Sequence, residues 1–238
     1  MSSEKIEKAV FFSDIESLKA SAEACGRIYF GHEFCQRLMP TTTELKTAAR
    51  LADSRGKAFT LATSFVSNAG LAHVRQLLET LAGEKLSGGT PEVVVNDWGV
   101  LHFIHSKYPQ IPIVLGRLLT KQKRGPQILR IDSDIPETAV DHFRRSNVDV
   151  PHVCDFLTSM NVKLVELDNL LQGISRNGGL PASLHYPYGY ITTTRLCLMM
   201  HGDREEKNLR SLGKCSRECR RCRSAPGQQR WIPRSRGR

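Results

Sequence analysis

The chain has 238 residues, of which 40% are apolar, and this length can build one large domain with a buried core. The first ten residues are charged and lack the apolar stretch of a signal peptide, and no apolar run reaches the ~18 residues of a membrane span. These features predict a cytoplasmic protein with no membrane span. The net charge is +10, of which residues 201–238 carry +8. Such a basic segment can bind RNA or another polyanion, or it can be a solvated, disordered end.

Segments typical of strands and helices alternate along the chain. Apolar and β-branched runs such as "RIYFG" and "EVVVND" predict strands, whereas apolar residues at helical spacing predict helices. Thr41 and Glu44 form a capping box at the start of one helix. In chain order, the predicted strands are 9–13, 27–31, 58–65, 92–97, 111–119 and 163–170, and the predicted helices are 14–25, 41–56, 69–84, 99–109 and 152–160. Between 120 and 150 the pattern is weaker, and "RIDSDIPE" suggests a strand end followed by a helix start.

This alternation predicts an α/β fold of parallel strands covered by helices. A doubly wound sheet usually carries a glycine-rich turn after its first strand, and the sequence has none there. We therefore expect a (β/α) barrel-like fold. If the barrel is incomplete, we expect the missing part at its C-terminal end. In such a fold, functional residues follow the carboxyl ends of the strands. The candidates at those positions are Gly31, Cys35, Ser64, Asn96, Asp97, Arg117, Glu166 and Asp168.

Several of these residues have a plain structural interpretation beside the functional one. Asp97 is placed to act as an acid or base, and it is equally placed to cap the helix that begins near Gly99. Arg117 begins a basic stretch that can bind a carboxylate or a phosphate, or remain a solvated loop. Its other basic residues are Lys121, Lys123 and Arg124.

Four of the seven cysteines cluster near the C-terminal end, with the spacing Cys197-x17-Cys215-x3-Cys219-x2-Cys222. Thiols in the cytoplasm stay reduced, so the cluster favours a metal or an iron–sulfur site over disulfides. A structural zinc site is one alternative, although the paired CxxC units typical of such sites are missing. A second is the CxxxCxxC pattern of radical-SAM enzymes, which normally precedes the barrel instead of following it. The cysteines can also be incidental. Cys25 and Cys154 lie on predicted helices and are expected to be small buried apolar residues.

Five stretches in this order carry a family resemblance: "RIYFGHEFC", "VNDWGVL", "PIVLGRLLTKQKRGP", "VELDNLLQGI" and "HYPYGYITTTRLC", followed by a Cys-x3-Cys. Together they resemble the collagenase-like peptidase family (family U-thirty-two), and within it the short UbiV type of oxygen-independent ubiquinone biosynthesis. The resemblance covers residues 5 to 222 and implies a barrel-like domain over that range. It also implies a 4Fe-4S cluster held by Cys35, Cys197, Cys215 and Cys219, with Cys222 outside the ligand set.

The last residues depart from the family pattern. The family chain normally continues into further strand-like sequence, whereas residues 223–238 are rich in Arg, Ser and Gly and predict a basic, disordered tail. The resemblance implies support of oxygen-independent hydroxylation of a small aromatic precursor, beside a homologous UbiU-type subunit. Tyr186, Tyr188, Tyr190 and His185 could line a pocket for such a ring.

Other functions remain open at this point. The family name suggests a peptidase, but the chain has no GxSxG or HExxH motif to support that activity. Hydroxylation of an RNA base and a non-catalytic, cluster-bearing partner subunit are the further alternatives.

Overall fold

A computed structural model describes residues 6–21, 24–128, 135–176, 178–194, 197, 215, 217 and 219. By its internal contacts the chain divides into two compact units, Met1–Thr193 and Thr194–Arg238. Every strand and helix of the described residues belongs to the first unit. In the second unit, one described residue, at position 219, has 3-10 helical geometry. The predicted end of the barrel-like domain at 222 and the predicted tail lie outside the described residues.

The first unit is built on a parallel sheet whose strands lie side by side in chain order. The strands of the described chain are β1 (Ala9–Phe12), β2 (Arg27–Gly31), β3 (Ala58–Ala62), β4 (Glu92–Val95), β5 (Ile113–Leu115), β6 (Val162–Asp168) and β7 (Ala182–His185). Each strand pairs with the next, so every crossover proceeds in the same direction around the sheet. A doubly wound sheet would reverse that direction part-way. The predicted α/β, barrel-like architecture is therefore confirmed as a curled half-barrel.

Helices connect the strands and cover the outer face of the sheet. They are α1 (Ile15–Ala20), α2 (Thr42–Ser54), α3 (Asn68–Gly83), α4 (Trp98–Lys107), α5 (Glu137–Arg144) and α6 (Pro151–Ser159), with a 3-10 turn at Asn147–Asp149. The start of α2 is fixed by the predicted capping box, in which Thr41 accepts from the Glu44 N–H and Glu44 accepts from the Thr41 N–H. None of the helices in the described part of the chain is long and apolar enough to cross a bilayer.

The sheet separates two apolar layers. Its outer face carries residues such as Phe30, Leu61 and Val93, which pack on the buried faces of the helices as one large core. The inner face carries a smaller apolar layer of Tyr29, Ala62, Val94, Val114 and Leu164. The Tyr29 side chain lies close to Ser183 on β7, five strands away in the sheet. This contact is only possible because the sheet curls around its inner face.

The structure corrects several predicted boundaries. The first helix ends at Ala20 and does not reach Cys25, which lies outside it, half-buried against the core. The strand predicted at 111–119 is limited to Ile113–Leu115, because the chain turns at Gly116 to carry Arg117 inward. The strand β7 was not predicted, since "ASLH" is an edge strand with half of its residues exposed. The helix start near residue 136 is confirmed by α5, but the preceding strand end lies outside the described residues.

Candidate functional site

Charged side chains meet on the inner face at the carboxyl ends of the strands. They follow β2 or β5, or lie in the last residues of β6 and β7, and most are nearly inaccessible to solvent. We call this set the mouth cluster, and its members are Glu33, Arg117, Arg124, Glu166, Asp168 and His185. Buried charges persist only when they are paired or bound, so the mouth cluster is the part of the first unit that most requires a functional explanation.

The turn after β2 places Glu33 and Cys35. Gly31 has φ +142°, and a Cβ there would approach the Ala62 carbonyl oxygen to 2.2 Å, so only glycine allows β2 and β3 to stay this close. His32 then organises the turn, because its Nδ1 accepts from the N–H groups of Phe34 at 3.2 Å and Cys35 at 3.1 Å. Glu33 consequently points into the cluster, where it meets Arg117, and Cys35 follows it two positions later in the same turn.

The turn after β5 places Arg117. Asn96, buried at the end of β4, accepts from the Leu118 N–H at 3.1 Å and donates to the Thr63 carbonyl at 2.9 Å. Gly116 makes this possible, because a Cβ there would lie 2.2 Å from the Asn96 side-chain oxygen. Asn96, one of the predicted site residues, is thus a positioning residue of the mouth.

Arg117 is the centre of the cluster. Its Nε and Nη2 donate to the two carboxylate oxygens of Glu33 at 3.0 and 2.7 Å, and its Nη1 donates to Asp168 at 2.9 Å. Its guanidinium also lies over the rings of Phe34 and Tyr190, 5.2 and 5.6 Å from their centroids. Because Glu33 is close by, the pKa of Arg117 is raised despite its burial, and the group is always charged.

Asp168 closes the network from β6. Its second carboxylate oxygen accepts from Arg124 at 2.8 Å, and its backbone N–H donates to the Gln122 side-chain oxygen at 2.8 Å. Arg124 in turn lies 4.2 Å from the ring centroid of Tyr190, whose hydroxyl donates to the Arg117 carbonyl at 3.0 Å. The loop carrying Arg117 and Arg124 is therefore fixed to the sheet and is not the solvated loop considered from the sequence. Its two lysines, Lys121 and Lys123, are exposed.

Glu166 differs from the other carboxylates. It is 1% exposed, and among the described residues neither of its oxygens has a hydrogen-bond partner. Its nearest cationic group is His185, whose Nε2 lies 3.3 Å from Oε2, an ion-pair distance without the alignment of a hydrogen bond. Burial raises the pKa of Glu166. Burial alone would lower the pKa of His185, but Glu166 raises it.

The other predicted site residues are structural. Asp97 caps α4 by accepting from the N–H groups of Gly99 and Val100 at 2.8 and 3.3 Å, which is the capping role considered from the sequence. Ser64 is buried after β3 and donates to a neighbouring carbonyl at 3.0 Å. The proposed aromatic pocket does not form as a unit, since Tyr186 and Tyr188 are 79% and 84% exposed, whereas Tyr190 packs on the two arginines.

The cysteines divide between the two units. Cys35 belongs to the first unit, lies two positions after Glu33 and is half-buried; Cys197, Cys215 and Cys219 belong to the second unit and are also half-buried. The six described cysteines are thiols and not disulfides. In the second unit, the Arg217 N–H donates to the Cys215 sulfur at 3.4 Å. Cys222 lies outside the described residues, and the predicted ligand set stays a prediction.

Two surface cavities lie away from this site. One, of about 360 Å³, is lined by residues that include Cys25 and Arg55. The other, of about 440 Å³, is mostly apolar and lies between α4 and α6, where Trp98 and Phe156 are half exposed. Neither cavity is lined by a member of the mouth cluster.

Sequence reasoning missed Glu33 and the roles of His185 and Gln122. Glu33 lies 84 positions before its partner Arg117, and no local pattern joins them. The position of Glu33, two residues after a strand that ends in glycine, was the one available signal. No family model, curated protein or solved structure matches the chain.

Proposed function

We propose that the chain is an iron–sulfur protein whose functional end is the mouth of the half-barrel, and that it supports oxygen-independent hydroxylation of an aromatic precursor. The observation that carries this proposal is the turn after β2. There, His32 holds the Cys35 backbone beside Glu33, at the carboxyl edge of the strands where barrel proteins place their chemistry. The family resemblance supplies the type of reaction.

The donors suit the proposed 4Fe-4S cluster in their chemistry. Cys35, Cys197, Cys215 and Cys219 are all thiols with partial access to solvent, and soft thiolate ligands are those that iron–sulfur clusters take. The N–H that Arg217 directs at the Cys215 sulfur is of the kind that stabilises a thiolate ligand. When bound, such a cluster supplies electron transfer.

The residues of the mouth have separate roles in this proposal. Arg117 joins Glu33, in the turn after β2, to Asp168, at the end of β6. These contacts hold the turn against the sheet, so that Cys35 has a fixed position. Phe34 and Tyr190 meet edge to face, with 5.3 Å between their ring centroids, and offer an apolar surface for a flat ring. Because Tyr186 and Tyr188 are largely exposed, they are not part of that surface.

The partners are proposed on the family resemblance. A homologous UbiU-type subunit would complete the reaction, and the basic residues beyond position 200 would offer a surface for RNA if an RNA base were the substrate. Location in the cytoplasm likewise stays a prediction.

Purification without oxygen, followed by iron, sulfide and zinc analysis, tests the proposal. We expect a brown protein with iron and labile sulfide and little zinc. A colourless protein with one zinc per chain would contradict the proposal and favour a structural zinc site instead.

A further inference from the structure

We propose that Glu33, Glu166 and His185 form a binding site for a divalent transition-metal ion of the Mn²⁺ or Fe²⁺ class. Its ligands are residues other than the cysteines, and the inference does not depend on the iron–sulfur proposal. One carboxylate or imidazole donor atom from each of the three residues lies within 4.8 Å of the other two. All three belong to the first unit.

The mouth cluster has more negative than positive groups, which favours an additional cation. Three carboxylates, from Glu33, Glu166 and Asp168, face the two guanidinium groups of Arg117 and Arg124. Both arginines are engaged by Asp168 or Glu33, so Glu166 has no guanidinium of its own. With His185 neutral, as a metal ligand must be, the cluster carries one excess negative charge.

Glu166 is the feature that points to a ligand. An ionised carboxylate has about four acceptor positions, and among the described residues those of Glu166 receive no hydrogen bond. A side chain that is 1% exposed pays a large desolvation penalty if those positions stay empty. A metal ion coordinated by Glu166 would remove that penalty, since a bound cation replaces the lost water directly.

The other two donors can share the same ion. Glu33 uses one acceptor position on each oxygen for Arg117 and keeps the remaining positions. His185 Nε2 is 3.3 Å from Glu166 Oε2, close to the ~3.0–3.5 Å that separates neighbouring ligands with metal bonds of about 2.1 Å. The side chain of His185 is 19% exposed, which gives an ion a route from solvent.

The residues around Glu33 hold that donor as the neighbours of a metal ligand do. Arg117 fixes both oxygens of Glu33, Asp168 fixes Arg117, and Arg124 fixes Asp168. Two carboxylates and an imidazole are the donor mixture that Mn²⁺ and Fe²⁺ accept, whereas thiolates are poor ligands for Mn²⁺. Mn²⁺ is therefore the probe that distinguishes this site from the cysteines.

The test uses the full-length protein, stripped of metal with a chelator and titrated with Mn²⁺ while the electron paramagnetic resonance signal of the free ion is followed. We expect one Mn²⁺ bound per chain. Glu166→Gln and His185→Gln should each weaken binding by at least about tenfold, since even the neighbours of ligands contribute that much. The matched controls are Glu79→Gln and His152→Gln, both exposed on helices, and they should bind as the unchanged protein does.

A thermal melt provides a second readout on the same proteins. Mn²⁺ at a hundred times its Kd for the unchanged protein should raise the Tm of that protein by roughly 5–10 °C, and the same concentration should raise the Tm of the two site variants by about half as much or less. The melts recorded without metal also show whether each variant is folded. Equal Mn²⁺ binding by the site variants and the controls would overturn the proposal, and so would an unchanged protein that leaves all Mn²⁺ free.

Discussion

Arg117 is the residue that holds the mouth cluster together. It joins the turn after β2 to the end of β6 through a two-point contact with Glu33 and a single contact with Asp168. Its side chain is 11% exposed, so these contacts are formed in a medium that screens them little. Removing one partner of such a pair leaves a buried charge without compensation, which costs far more than losing a surface ion pair.

Replacing Arg117 by Met should therefore destabilise the protein by about 3–5 kcal/mol, measured by urea denaturation. The control Arg50→Met removes an arginine that is 64% exposed in its pair with Glu84, and it should cost less than about 1 kcal/mol. Adding Glu33→Gln to Arg117→Met should restore part of the loss, because the unpaired carboxylate is then gone. Equal losses for the Arg117 and Arg50 variants would contradict the proposed role of Arg117.

At the scale of elements, α2 and α3 are joined by charge as well as by apolar packing. Glu84, directly after α3, accepts from Arg50 at 2.9 Å and lies 3.2 Å from the Lys46 ammonium, both on α2. The hydrogen bond from Arg50 is the main reason that the pKa of Glu84 is lowered, and Lys46 adds to the effect. A lowered carboxyl pKa contributes stability above the unfolded-state pKa, and that contribution disappears as the pH falls through the folded-state value.

Glu84→Gln should therefore lower the free energy of unfolding by about 0.5–1 kcal/mol near neutral pH, which is modest because its partners Lys46 and Arg50 are 48% and 64% exposed. The difference from the unchanged protein should shrink below about pH 4.5, where the unfolded-state carboxyl takes up its proton. Urea denaturation at several pH values measures it, with Glu79→Gln on α3 as the exposed control. A difference that stays constant down to about pH 3 would show that the pKa shift contributes nothing.

At the scale of the whole molecule, the sequence predicts the fold better than the site. The alternation of strands and helices and the capping box at Thr41 are local patterns, and both are confirmed. The absence of a glycine-rich first turn favoured the barrel-like arrangement over the doubly wound one, and the strands do lie in chain order. β7 was missed because an edge strand with half-exposed residues lacks a clear apolar pattern.

The contacts of the site could not be predicted in the same way. The partners of Arg117 lie 84 positions before it and 51 positions after it, and only the curl of the sheet brings them together. Arg117, Glu166 and Asp168 were recognised by their place after strands, but which charges pair depends on side-chain directions that no local pattern records. The ligand set of the cysteines likewise rests on the family resemblance and not on spacing.

The most direct test of the account is the iron and sulfide content of single cysteine variants, purified without oxygen. If Cys35 is a ligand beside the mouth cluster, Cys35→Ala should lose or convert the cluster, as Cys197→Ala, Cys215→Ala and Cys219→Ala should. Cys25→Ala, at a half-buried position before β2 that packs against the core, and Cys222→Ala should keep the content of the unchanged protein. Full iron and sulfide in Cys35→Ala, together with their loss in Cys222→Ala, would contradict the account and favour a set of Cys215, Cys219 and Cys222.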